Sequence, residues 1–532
     1  MPEPPAPFLR SVTPPAGSPA APVTGPRNAT EVFAVHGADP EVLAYAMAKY
    51  SRSSLSMKQS LQEIGAQRAE QFLNTFYFQY GHRSIADLAH VAFAIERLSL
   101  LAAIVLVDEQ RWDGQERSTR YQDFEKSGWY LPLFAPEEAE AERAFTGTVE
   151  GLFAAYRAVS DGVLASLTAA VQRPEAMKPE AYTRTLRARA FDVARYLLPL
   201  ATNTSLGQIV NARTLETQVS RLLSHPLAEV RELGEQLRRA AAGTAWNPHA
   251  EALGALAAEI RAADPALGDR AHALLTREVR VAPTLVKYAA PNPYAVSTAA
   301  LLRQAAGELL DRQPIAPAPL VDLVDGPDPL EVELATSLLY TACHYPYRQI
   351  RDQVRALPAA RRDEIIDLGL RERGRHDELL REFSAGQGLR FDILMDIGGF
   401  RDMHRHRRCV QLIQDFTPLH GYETSEGLEE AGLTAMYSAA MDAAHAAAAG
   451  LSPSGDARSQ YLLPLGTRVR ALFKMDFAEA LYIAELRSGP QGHFSYRRVA
   501  WEMYQAVARQ HPSLARYFRV TDIREPVDLL RR

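Results

Sequence analysis

The pentapeptide Tyr-Leu-Leu-Pro-Leu stands twice in this chain, at Tyr196–Leu200 and again 265 positions later at Tyr461–Leu465. One match in a leucine-rich sequence means little, but other landmarks keep the same order. Arg221 and Arg231 follow the first copy ten residues apart, and Arg487 and Arg497 follow the second with the same spacing. A Gly-x-Asp-Pro opens each half, at Gly37–Pro40 and Gly326–Pro329, and a helical-looking run ends on Tyr50 or Tyr340. Ordered landmarks of this kind imply duplication and divergence. A length of 532 residues suggests about three domains at ~150 residues each; the repeat reduces that to two copies of one domain. We expect a Pro/Ala-rich disordered arm over 1–30, a first domain over 31–290, a linker over 291–320 and a second domain over 321–532.

Each half reads as mixed α and β. In the first, Met57 to Tyr80 has helical spacing, Ser84 to His90 looks like a capped helix start, and Val91, Phe93 and Ile95 alternate before a buried apolar segment ending at Val107. Amphipathic helices are expected over Thr183 to Tyr196 and Asn211 to Ala240. The second half repeats the order: an alternating run at Phe391, Ile393 and Met395, a helix over Phe400 to Ile413, then helices over Phe473 to Leu486 and Phe494 to Gln510. Charge and cysteine content bound the function. With 59 basic against 64 acidic residues, no global basic field points to nucleic acid, so any polyanion site is local. Cys343 and Cys409 cannot build a disulfide framework or a cysteine zinc site, and they suit a reducing cytoplasm. No apolar stretch approaches the ~20 residues that span a bilayer, and no secretion signal is evident.

The densest cluster of chemistry is Arg401, His404, Arg405, His406, Arg407 and Arg408. On a helix Arg401, Arg405 and Arg408 share a face, and their repulsion would be offset by an anion held through guanidinium forks. Apolar neighbours on both sides place this segment in a cleft; a solvated basic stripe is the alternative. In the first half, Glu116, Ser118, Arg120 and Tyr121 follow the turn Trp112-Asp113-Gly114, where a hydroxyl, a guanidinium and loop N–H groups suit a phosphate; a surface loop with a salt bridge is equally open. His82, Ser84 and Asp87 stand at a helix start and equally suit a capping box. The histidines lack metal-ligand partners, and no nucleophile elbow, P-loop or Gly-x-Gly-x-x-Gly occurs.

Taken together these residues resemble the flavin-dependent thymidylate synthases. That family carries His-x-Ser/Thr-x-x-Glu-His, then a strand running into Arg-Gln-x-x-Arg-His-Arg, then Glu-x-Ser-x-Arg-Tyr, and a late helix with two arginines ten apart. Phe391 to Arg407 is similar to the strand and Arg-His-Arg, with Asp402 in place of Gln. Ile413, Asp415 and Thr417 then stand where Glu, Ser and Arg belong. The first half is the mirror case: Val107, Asp108 and Glu109 replace Arg-His-Arg, while Glu116, Ser118 and Arg120 are intact and Asp87 replaces Glu. The late pair survives in both, although Ser495 and Tyr496 replace Glu-Ile before Arg497.

The resemblance implies an α+β fold of two tandem copies (antiparallel sheet with long helices) packed as a pseudo-dimer, in a cytoplasmic homodimer of fused chains. It implies reductive methylation of dUMP with FAD, NADPH and methylenetetrahydrofolate, at one composite site per chain. Glu116, Ser118, Arg120, Arg405 and Arg497 would hold dUMP, with Arg497, Arg405 and Ser118 nearest the chemistry. His82, Ser84, Asp87, His406, Arg407 and Arg487 would contact FAD. The reciprocal site would be dead. A catalytically inactive flavin- or nucleotide-binding homologue acting as scaffold or sensor is the alternative; no metal, nucleic acid or membrane partner is expected.

Overall fold

Two backbone segments with the same sequence pair antiparallel at the centre of the molecule. In the computed structural model, the Leu200 N–H donates to the Leu463 carbonyl (2.9 Å) and the Leu465 N–H to the Leu198 carbonyl (3.0 Å). Ala201 donates to Tyr461 (2.9 Å) and Gly466 to Tyr196 (3.0 Å). Each bond has its counterpart 265 positions on, so the set maps onto itself when the halves exchange, as in a two-fold interface. Pro199 and Pro464 face each other on that axis. They form a pair between which an antiparallel ladder makes no hydrogen bond, so a residue without an N–H costs nothing there.

The structure describes residues 35, 37–49, 57–63, 83–287, 289–310, 313–324, 326, 328–373, 380–383, 388–451, 456–516 and 518–530. The chain divides into Met1–Ala38 and a larger unit, Asp39–Arg532, which carries both halves of the repeat. The first half of the larger unit runs α1 (Pro40–Lys49), β1 (His90–Ser99), α2 (Leu100–Leu106), β2 (Asp113–Glu116), α3 (Ala139–Ala170), α4 (Pro179–Ala194), β3 (Asn203–Asn211), α5 (Ala212–Leu223) and α6 (Ala228–Ala242). After α7 (Pro293–Leu310) the second half runs β4 (Val321–Leu323), α8 (Leu330–Tyr340), α9 (Tyr347–Ala356), β5 (Leu389–Asp396), α10 (Ile397–Met403), β6 (Val410–Ile413), α11 (Thr434–Leu451), β7 (Arg468–Met475), α12 (Phe477–Ser488) and α13 (Phe494–Gln510). The sheets are antiparallel, ordered β1-β3-β2 and β4-β5-β7-β6. Apart from β4 on one edge, the two orders are identical: the fold is α+β in two tandem copies. One core cluster takes residues from both, including Leu101, Leu198 and Val219 with Ile393, Leu463 and Val469. A smaller cluster packs α7, α8 and α9 on β6 and β7 through Leu310, Val332, Tyr347 and Leu472. Among the described residues no helix is long and apolar enough to cross a membrane.

Several elements differ from the sequence expectation. The helix expected over Phe400 to Ile413 ends at Met403, and Val410–Ile413 pairs with β7 as a strand. Arg405 and Arg408 therefore lie on a turn and not on a helical face with Arg401. A short apolar run such as Cys409 to Ile413 fits either state, and the free edge of β7 decides it. Phe473 belongs to β7, with Asp476 capping α12 through the Glu479 N–H (2.8 Å). Ser224 to Leu227 interrupts the helix expected over Asn211 to Ala240, because Pro226 cannot continue it. Arg83–Leu88 is a 3₁₀ helix and His90 opens β1. The segment expected as linker contains α7, which buries Tyr294, Leu302 and Leu310.

Where each half turns from strand to short helix, the cap is built from exchanged partners. Ser99 caps α2 by accepting from the Ala102 N–H (2.9 Å), while its N–H and hydroxyl donate to the Glu229 carboxylate (2.8 and 2.7 Å). Asp396 caps α10 by accepting from the Gly399 N–H (2.6 Å), and the Ser495 hydroxyl donates to its other oxygen. Carboxylate and hydroxyl have traded places between cap and late helix, which gives Ser495 a reason to depart from Glu. Tyr461 crosses to the other half and donates to Glu229 (2.8 Å), and Tyr196 lies buried at the matching place beside Asp396 and Ser495. Glu229→Ala strands three buried donors, so it should lower stability by about 2–4 kcal/mol in denaturant unfolding; a loss under about 1 kcal/mol would contradict this account of the cap.

Candidate functional site

The axis brings β2 and α4 of the first half against α10, the turn after it and the start of α13 in the second. Glu116, at the end of β2, accepts from Arg401 across the halves. Arg120, in the loop after β2, donates Nε to Asp192 of α4 (2.8 Å), Nη1 to the Tyr496 hydroxyl (2.8 Å) and Nη2 to the Gln491 carbonyl (3.1 Å). Burial opposes its charge, but Asp192 outweighs this and raises the Arg120 pKa. Arg195, 2% exposed, turns both Nη atoms onto one Asp402 oxygen (3.3 and 3.4 Å). Burial alone would push the Asp402 carboxyl up, yet Arg195, Arg120, Arg405 and Arg487 hold it below its ordinary value. Arg405 keeps its guanidinium without a hydrogen-bond partner among the described residues, and Arg407 lies over the Trp112 ring (4.5 Å). The Nε atoms of Arg195, Arg401 and Arg407 are buried with no acceptor among the described residues. Buried donors without acceptors are costly unless something outside the chain satisfies them.

His406 Nε2 accepts from Arg487 Nε (2.8 Å), which leaves the proton on Nδ1, 3.5 Å from Glu479. Burial, then Arg487 and Arg407, lower its pKa to about 3. Arg487 also lies over the Tyr496 ring (5.4 Å). Ser118 Oγ accepts from the Arg120 N–H (3.3 Å), shaping the loop that presents Arg120. Beside the cleft, Tyr121, Arg184, Arg187 and Phe191 line a groove of about 590 Å³.

Glu116, Arg120 and Arg407 thus make contacts across the halves, with Ser118 beside Arg120 in the first half and Arg405, His406 and Arg487 in the second. Arg497 is buried and gives Nε to the Ser488 carbonyl (3.0 Å), as Arg231 gives Nη1 to the carbonyls of His225 (2.8 Å) and Pro226 (2.6 Å). Both late arginines brace the junction between their last two helices. Asp87 pairs with Arg111 (3.4 Å) and Arg213 (3.5 Å), and makes no hydrogen bond or ion pair with the second half among the described residues. His82 lies outside the described residues, and Ser84 falls in the 3₁₀ helix without a described side chain. Sequence reasoning missed Arg195, Asp192 and Gln491. Arg195 directly precedes the repeated pentapeptide, which was the available signal for it.

The reciprocal position holds acids that the chain neutralises itself. Arg221 donates to Glu109 (2.7 Å), Asp108 pairs with Arg381 (2.6 Å), and Arg303 of α7 reaches Asp415 (3.7 Å). Ile413 is paired in β6, and Thr417 Oγ1 is buried without a partner among the described residues.

A duplicated α+β domain with an arginine-rich cleft between its copies is the class this geometry defines. The model of the family "Thymidylate synthase complementing protein" matches residues 34–245 and 338–513, one segment in each copy, and the chain belongs to that family. A "UPF0159 protein" of Chlamydia muridarum is 28% identical over 525 residues, covering 91% of each chain. A "Flavin-dependent thymidylate synthase" of Clostridium tetani is 22% identical over 212 residues, 37% of this chain and 81% of its own. A solved flavin-dependent thymidylate synthase of Helicobacter pylori, complexed with FAD and dUMP, shares 17% identity, with a TM-score of 0.23 over 38% of this chain and 89% of its own.

The His406 ring should stay neutral at pH 5, read by imidazole ¹⁵N shifts; a midpoint near 6.5 would show that the ring is not buried against Arg487 as described. Because its folded pKa lies below the unfolded value, the associated stability is complete above pH ~6.5. It is lost toward about pH 3, at about 1.4 kcal/mol per unit.

Proposed function

We propose that this chain is a FAD-dependent thymidylate synthase, converting dUMP to dTMP by reductive methylation with methylenetetrahydrofolate and NADPH. The observation that carries the reading is the cleft between the halves, where three buried guanidinium Nε–H groups lack acceptors and Arg405 is unpaired among the described residues. Such a donor set suits a phosphate ester. Arg120, Arg195, Arg401 and the Ser118 hydroxyl would hold the nucleotide phosphate. Arg405 and Arg487 would face the uracil carbonyls, where negative charge develops, and stabilise it without reorganising. Arg497 would act through the helix junction that it braces.

The residues present also suit FAD. Arg407, with an unsatisfied Nε, and Arg487 could meet its pyrophosphate, and neutral His406 offers an Nδ1–H. Bound flavin would supply the hydride that completes the methyl group. His82, Ser84 and Asp87 would join that pocket from a second copy, since among the described residues Asp87 makes no hydrogen bond or ion pair with His406 or Arg407; a cytoplasmic homodimer of fused chains completes the reading. The second reading, an inactive flavin- or nucleotide-binding homologue, draws on Asp192 and Asp402 engaging Arg120 and Arg195.

Purified protein should be yellow and release tritium from 5-tritiated dUMP when given NADPH and methylenetetrahydrofolate. Arg405→Ala and Arg120→Ala should each lower kcat/KM by at least 100-fold, whereas Arg303→Ala, across the reciprocal position, should change it less than threefold. Flavin absorbance without tritium release points to the inactive homologue; a colourless protein that binds neither ligand sinks both readings.

A further inference from the structure

The cleft contains its own anion. Of the six arginines at this cleft, Arg401 meets Glu116, Arg120 meets Asp192 and Arg195 meets Asp402, while the exposed Arg405 and the half-buried Arg407 and Arg487 have no carboxylate partner among the described residues. Glu116 and Asp192 come from the first half. Asp402 comes from α10 of the second, and the charges of Arg195, Arg120, Arg405 and Arg487 act on it. Its carboxylate takes both Nη atoms of Arg195, the most deeply buried of the six at 2% exposure. Arg195 Nε remains buried and unpartnered among the described residues, so the pair leaves that guanidinium incompletely satisfied.

A guanidinium as deeply buried as that of Arg195, left without a counter-anion beside other cations, would bind any small oxyanion, including free phosphate. Two anions on the same guanidinium repel strongly in a site with little water. We propose that Asp402 is a selectivity residue, a built-in counter-anion on Arg195 that keeps free phosphate out of the cleft. Only a ligand whose phosphate is tethered to further contacts, such as a nucleotide, displaces it. Specificity comes here from a repulsive element set against the unwanted ligand. Asp402 does this by sharing Arg195 with the incoming oxyanion; it touches no reacting atom.

This inference rests on the nucleotide reading only for the identity of the tethered ligand, so inorganic phosphate is the first probe. Full-length wild type, Asp402→Asn and Asp402→Gln are titrated with sodium phosphate at constant ionic strength, read by calorimetry and by thermal shift. Both variants remove the charge, and Gln retains an acceptor for Arg195 if Asn folds poorly. Both should bind phosphate at least tenfold more tightly than wild type, with a larger phosphate-induced rise in Tm. Selectivity for dUMP over phosphate should fall at least tenfold. Equal or weaker phosphate binding in both variants overturns the proposal and shows that Asp402 only braces Arg195. A phosphate gain without dUMP binding by any of the three proteins sustains Asp402 as the counter-anion but overturns the nucleotide reading.

Discussion

Everything distinctive about this molecule depends on the antiparallel pairing of its two Tyr-Leu-Leu-Pro-Leu segments. Four backbone hydrogen bonds, at about 1 kcal/mol net each, do not hold the halves together; the shared apolar core does that. The seam fixes register. With Pro199 opposite Pro464, Tyr461 reaches Glu229 in the other half, and α4 runs beside the segment that leads into α13. That placement brings Asp192 and Arg120 to Gln491 and Tyr496, and Arg195 to Asp402. The cleft follows from the axis.

A two-fold arrangement of identical halves would make two equal clefts, and this chain has moved its charges to make them unequal. On one side Arg401, Arg120 and Arg195 meet three carboxylates, while Arg405, Arg407 and Arg487 have none among the described residues. On the other, Glu109, Asp108 and Asp415 are taken by Arg221, Arg381 and Arg303. Arg303 comes from α7, in the segment that connects the halves, so that segment supplies one of the cations on this side. Other differences are compensated locally: the trade of Ser99 with Glu229 for Asp396 with Ser495 keeps both caps satisfied.

The repeat, the two-copy organisation and the α+β class were legible in sequence, because identical segments at a fixed offset leave a signal that divergence elsewhere does not erase. Glu116, Ser118, Arg120 and the 405–407 cluster were legible as motifs, and the complementary losses pointed to the halves as partners; of these, Glu116, Arg120 and Arg407 make contacts across the halves. Local pattern failed where tertiary pairing decided the outcome: Val410–Ile413 became a strand on β7, and Pro226 split a long helix. Arg195 escaped notice because its charge sits in an apolar helix end, with nothing local to mark it. Arg497, identified by its spacing, gives its Nε to the Ser488 carbonyl at the junction between α12 and α13, a structural use that the spacing alone did not show.

The central claim is that one chain holds one anion-binding cleft, built by both halves and absent from the reciprocal position. Calorimetric titration of the intact chain with dUMP measures this most directly. The account predicts a stoichiometry of one per chain, abolished by Arg120→Ala in the first half and by Arg405→Ala in the second. Two sites per chain, or binding that survives either change, would contradict it.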